Sequence, residues 1–310
     1  MRVLSKETHF RFMSRRRAAA VISALLIVGS IAAIIVRGLN FGIEFTGGIE
    51  LEAGYPNAVN VDQVRQQLAG NGYSDAQVIF FGTQRDIMIR IPPNESVETD
   101  TLREQLLDVL RQTEPNVEAR SFSVVYPQIG AEVAEAGSTA MIFVLLMIFI
   151  YIMFRFQWRF SMGAVAALVH DVIITVGFFA VFQLQVDASV IAAVLAVVGY
   201  SLNDTVVVFD RIRENFLTLR GEAPDGVIDR SINQMLARTI ITGVTTLLVL
   251  TALLVLGGES VYSFSVALIV GIIVGTYSSI YVASAVALEM GVSAQDLMPP
   301  EPDPELEELP

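Results

Sequence analysis

The chain has 310 residues, 53% of them hydrophobic, and a formal net charge of −12. With a mean hydropathy of +0.58 it lies outside the soluble globular range, and its acidic balance argues against a nucleic-acid partner. Cysteine is absent, which excludes disulfide and thiol chemistry. The two histidines, His9 and His170, stand far apart without ligand-spaced neighbours, so neither a metal nor a cofactor is expected.

Residues 1–17 form a basic N-terminal segment carrying Arg11, Arg15, Arg16 and Arg17. The apolar run 18–36 follows. It is longer than the ~7–15-residue core of a cleavable signal and ends "IIVRGLN" without a small-residue cleavage site, so it predicts a first membrane-spanning helix. Five more stretches, 137–154, 162–182, 188–209, 239–256 and 261–288, approach or exceed the ~20 residues that cross a bilayer. The expectation is an α-helical polytopic membrane protein with six spans. Arg155 and Arg159 lie between spans two and three, and Arg211, Arg213, Arg220 and Arg230 lie between spans four and five. The loops "QLQVD" and "GGES" have no basic residue. The arginine-rich side is the cytoplasmic one, which puts both termini in the cytoplasm and residues 37–136 outside it. The segment 289–310 holds seven acidic residues and no basic one, and predicts a disordered cytoplasmic tail.

The long loop 37–136 opens with "GLNFGIEFTGG" (Gly38–Gly48). This lacks the G-x-G-x-x-G spacing of a nucleotide loop, and its glycines read as tight turns and close packing. "GGIELEA" alternates Ile49, Leu51 and Ala53 against Glu50 and Glu52, the period of a strand. A helix follows with Val61, Val64 and Leu68 on one face, Asn60 as its cap and Gly70 and Gly72 as its stop. "AQVIFF" and "DIMIRI" predict two strands around a turn at Gly82–Gln84. A second helix carries Leu102, Leu106, Val109 and Leu110 on one stripe, with Thr101 and Glu104 as a capping box. "RSFSVVY" closes as a strand. The order β-α-β-β-α-β predicts an α+β, ferredoxin-like domain, a fold that by itself settles no function. Asn94-Glu-Ser96 matches a glycosylation acceptor, a pattern short enough to recur by chance.

Polar residues interrupt the spans at three places. His170 and Asp171 sit mid-way along span three. Asn203 and Asp204 lie in the cytoplasmic half of span four, beside Ser201 and Thr205. Span five opens with Arg238 and continues Thr239, Thr242, Thr245 and Thr246 at helical spacing. A charged side chain at a helix centre costs ~2.5–3.5 kcal/mol on insertion scales, so Asp204 points to function. Antiparallel spans four and five let Asp204 meet Arg238, and a carboxylate alternating between an Arg-paired and a protonated form is a proton relay. The threonines read as helix-packing and backbone-bonding residues, Arg238 alone as an interfacial anchor, and His170 alone as an interhelical donor. In span six, Gly271 and Gly275 form G-x-x-x-G, continued by Ser279, Ala283 and Ala287, a surface for close helix packing.

The stretches "GLNFGIEFTGG", "HDVIIT", "GYSLNDTVVVFDRIREN", "NQMLARTIITGVTT" and "GTYSSIYVASA" resemble the SecF family of bacterial export proteins, itself distantly similar to half of a resistance–nodulation–division bundle. The likeness runs along nearly the whole chain except the acidic tail. The chain departs from the family at Tyr126, where Gly commonly precedes Pro127, and at Gly243, where Ser is frequent. The resemblance implies pairing with SecD, association with the SecYEG channel and with YajC, contact with the translocating polypeptide and lipid, and residence in the bacterial cytoplasmic membrane. It implies a non-enzymatic role, the proton-motive force assisting late translocation, with Asp204 as the protonatable residue, Arg238 as its partner, and Asn203, Asp171 and His170 around them. Met1 with its basic flank suggests a SecD encoded separately.

Three other readings compete. A small-molecule exporter of the wider superfamily carries both halves in one chain, whereas this one has a single half. An intramembrane aspartyl protease needs different sequences around its aspartates than "HD" and "SLND". A passive scaffold for the channel is the main rival, because packing alone accounts for every polar residue except Asp204.

Overall fold

A computed structural model describes residues 8–81, 83–92, 99–125, 127–219, 221–258 and 261–293. Asn94-Glu-Ser96, Tyr126 and the tail beyond 293 lie outside the described residues. Six helices are long and apolar enough to cross a membrane: α1 (Arg16–Arg37), α5 (Pro127–Arg155), α6 (Trp158–Phe182), α7 (Ala188–Thr218), α8 (Pro224–Leu256), and a sixth built of α9 (Tyr262–Ser278), a π turn (Ser279–Ala283) and α10 (Ser284–Glu289). Pro127 and Pro224 open their helices, where a fixed φ and a missing N–H cost nothing. Asp187 caps α7 by accepting from the Val190 N–H.

Three of these helices are inner and three outer. Half of the most apolar window is buried in α6 and in the sixth span, and 44% in α7, against 17% in α1 and α8 and 6% in α5. Several helices outrun their apolar stretches. α7 continues past Phe209 to Thr218, and α8 begins at Pro224, well before Thr239. The extensions are amphipathic: Ile212 and Phe216 of α7 join Val227, Ile228 and Ile232 of α8 in one core with Met13. They form a helical pair beyond the apolar slab. α5 likewise starts before residue 137, and its Gly130 lies where a Cβ would strike the backbone of Glu44 and Phe45, so only glycine allows that approach.

The long loop holds a short helix α2 (Ile43–Thr46) and a four-stranded sheet. In chain order the latter reads β2 (Gly48–Gly54), α3 (Val61–Gly70), β3 (Gln77–Phe81), β4 (Thr83–Ile91), α4 (Thr99–Arg111) and β5 (Glu118–Val125). The strands lie β3-β4-β2-β5, every pair antiparallel. Leu51 pairs with Ile89 on one side and Phe122 on the other. Leu51, Ala53, Ile87 and Ile89 are buried against Leu68 of α3 and Leu106 and Leu110 of α4. Asn60 caps α3 through the N–H groups of Asp62 and Gln63.

Two local expectations need correction. Thr101 does not cap α4, which already runs from Thr99, and the cap lies outside the described residues. Thr83 and Gln84 belong to β4 rather than to a turn, because the hairpin closes with Phe81 opposite Thr83.

A second, two-stranded sheet ties this unit to the helices. β1 (Asn40–Phe41) pairs in parallel with β6 (Gln185–Val186), between spans three and four. The Gly42 N–H donates to Val186 O at 2.8 Å. Arg90 of β4 bridges Glu50 at 2.8 Å and also donates to the Gln185 side chain. Ser263 Oγ donates to Gln185 O at 3.0 Å. Gly38, Gly47 and Gly48, at φ 70°, 71° and 139°, turn the chain through the segment.

Candidate functional site

The polar residues of the inner helices converge on Asp171, which is fully buried. Its Oδ2 accepts hydrogen bonds from Ser201 Oγ of α7 at 2.6 Å and from Ser278 Oγ of α9 at 2.7 Å. Its Oδ1 lies 2.9 Å from His170 Nδ1. His170 Nε2 is 3.2 Å from Ser23 Oγ of α1, which is 3.1 Å from the Tyr277 hydroxyl of α9. Tyr277 donates in turn to Ala19 O of α1 at 2.9 Å. One chain of hydrogen bonds therefore links spans one, three, four and six.

The small residues of the sixth span make room for it. A Cβ at Gly275 would stand 3.0 Å from Ser201 Cβ and 3.5 Å from Asp171 Oδ2, and one at Gly271 would strike Val197. Just beyond, Thr205 Oγ1 and Ser279 Oγ are 2.9 Å apart, where the helix widens into its π turn, a feature frequent at functional sites.

Asp204 stands apart from this network. It is 4% exposed, and its Oδ2 is buried without a hydrogen-bond partner among the described residues. Arg238 acts on it electrostatically, but among the described residues the two form no ion pair within 4.0 Å. Arg238 is exposed on α8, and Asn203 on α7 also faces outward. Three of the four threonines bond to their own helix: Thr242 Oγ1 donates to Arg238 O and Thr239 O, Thr245 to Ile241 O and Thr242 O, and Thr246 to Thr242 O while accepting from the Tyr200 hydroxyl of α7 at 3.4 Å. Thr239 is buried and Thr245 exposed. A Cβ at Gly243 would meet Thr276 at an ordinary 3.8 Å.

Sequence reasoning placed His170 and Asp171 beside Asp204 as one relay; the structure instead gathers the first two with Ser201 and leaves Asp204 outside. It missed Ser23, Tyr277 and Ser278. One signal was available. Ser23 and Ser30, seven apart in the otherwise apolar run 18–36, share a face, and Ser30 packs where a Cβ on Gly177 of α6 would collide.

The family model described as protein export membrane protein SecD/SecF, C-terminal, matches residues 105–293, and the SecD/SecF GG motif matches residues 32–55. The SecF subunit of protein translocase from Vibrio alginolyticus is 45% identical over 98% of this chain and 96% of its own length. The chain belongs to the SecF family. SecF of Pseudomonas aeruginosa is 43% identical over 94% of both chains. Among solved structures, SecDF of Thermus thermophilus, a translocon-associated membrane protein, superposes with a TM-score of 0.80 at 36% identity over 92% of this chain. SecDF in a super-membrane-facing form gives 0.71. This SecF-family chain spans 39% of the solved SecDF chain. Family membership and six apolar helices make it a multi-pass membrane protein. The GG-motif match covers the β1–α2–β2 segment that straps the sheet to the helices.

Proposed function

We propose that the chain is a subunit of the Sec protein-export machinery that works with SecD and uses the proton-motive force to assist late translocation. It resides in the bacterial cytoplasmic membrane, with both termini inside and the sheet unit, of ferredoxin-like type, outside. The strand order β3-β4-β2-β5 with two helices on one face supports that fold. The observation that carries the proton reading is Asp204. A buried intramembrane carboxylate with one unpartnered oxygen is costly unless a proton or a partner's group visits it. Arg238, Asn203 and Thr245 turn polar groups away from the chain's own bundle, a face that a second half-bundle such as SecD would cover. SecYEG, YajC and the emerging polypeptide are the further partners of this assembly. One charge crossing 100 mV supplies ~2.3 kcal/mol, a bias of about fifty-fold, enough to reset a two-state movement of the outer domain.

The scaffold reading is favoured by one specific feature, the threonines satisfied on their own backbone. Sealed vesicles holding the channel, SecD and this protein separate the two. A proton gradient should speed completion of export with the native chain and not with Asp204→Asn. An equal response from an assembled variant leaves the scaffold reading standing.

A further inference from the structure

The hydrogen bonds around His170 can be counted, and the count fixes a proton. The Ala19 carbonyl only accepts, so the Tyr277 hydroxyl spends its single hydrogen there, at 2.9 Å. The 3.1 Å contact between Ser23 Oγ and Tyr277 Oη then uses the serine hydrogen. With that hydrogen spent, the 3.2 Å contact between His170 Nε2 and Ser23 Oγ needs a hydrogen on Nε2. The 2.9 Å contact between Nδ1 and Asp171 Oδ1 needs one more, on the ring or on the acid. A hydrogen on Oδ2, which faces Ser201 and Ser278, would not make that contact. The contacts at Nε2 and Nδ1 are both made only when the pair holds both hydrogens. With Ser278 donating to Oδ2 at 2.7 Å rather than to Gly275 O at 3.1 Å, the pair is then neutral as a whole: imidazolium with carboxylate, or Nε2-protonated imidazole with carboxylic acid.

We infer that the His170–Asp171 pair carries a transferable proton, and that Ser23 and Tyr277 are positioning residues which register its loss. When that proton leaves, the ring keeps its hydrogen on Nδ1 toward the carboxylate. Ser23 then turns its own hydrogen from Tyr277 to the bare Nε2, and the contact between spans one and six loses one bond. No bond outside the network need break. The groups facing the pair are Ser23 from span one, Ser201 from span four with Asp204 three residues on, and Tyr277 and Ser278 from span six. The inference rests on the proton-coupling reading for its consequence, because it adds a second proton site and names the helix contact that follows it. Its test is independent of export.

Nitrogen-15 histidine spectra of the full chain in lipid nanodiscs, with His9→Gln leaving His170 as the one histidine, read the ring directly. The expected spectrum shows a protonated Nε2. Tyr277→Phe frees the Ser23 hydrogen and raises the form with bare Nε2 about fivefold, the weight of one hydrogen bond. That rise disappears in a Ser23→Ala background, which separates donor counting from altered packing. A bare Nε2 without the tyrosine substitution, no rise in Tyr277→Phe, or an equal rise without Ser23 would each overturn the inference. Export that ignores the gradient would sink the functional reading and leave these spectra unmoved.

Discussion

Spans three and four each bury one carboxylate, and the fold treats the two in opposite ways. Asp171 receives two serine hydroxyls and an imidazole nitrogen from three elements. Asp204, three residues beyond Ser201 on α7, keeps a buried oxygen with no partner among the described residues. A fully bonded carboxylate in apolar surroundings acts as a node that fixes how helices meet. An incompletely bonded one costs ~1–3 kcal/mol or more, a cost that a purely structural residue has no reason to carry. The difference separates a carboxylate whose bonds, whatever proton its pair carries, hold the bundle from one with an oxygen left open.

Stability is the sharpest way to break that distinction. Asp171→Ala removes the common acceptor of Ser201 and Ser278 and the partner of His170, and should cost ~3–5 kcal/mol in steric-trap unfolding of the full chain in bicelles. Asp204→Asn should change the same quantity by less than ~1 kcal/mol, since it breaks no bond. Equal losses would erase the difference. The sheet unit supplies a control, the half-buried Tyr55, outside the apolar spans. Burial, and secondly the negative charge of Glu114, push the Tyr55 hydroxyl up to about 12. Its unfolded value is about 10, so the folded form holds its proton more tightly. Stability should be untouched below about pH 10 and fall as pH climbs from about 10 to about 12. Hydrogen exchange in residues 48–125 reads this, and Tyr55→Phe should remove the tyrosine's share of the fall.

How much of this could be read from the chain depended on whether the signal was local. Apolar length announced the six spans, and strand and helix periods announced the elements between Gly48 and Val125, because each pattern sits within one segment. The ends of α7 and α8 were hidden, since "DRIREN" looks like a loop until Ile212 is seen packing with Val227 and its neighbours across the helical pair. The network at Asp171 joins residues 23, 171, 201 and 278, whose meeting depends on the rotation of four helices. Nothing near Arg238 in sequence says that it faces outward.

On the proposed mechanism Asp204 gains and loses a proton within the bilayer. Infrared difference spectra of the reconstituted protein, recorded between acidic and alkaline buffer, measure this at the carboxyl itself. The prediction is that one component of the protonated-carboxyl absorption rising on acidification, over that of the chain's other acidic residues, is missing in Asp204→Asn. An acidification spectrum identical in that variant, with no component lost, would contradict it.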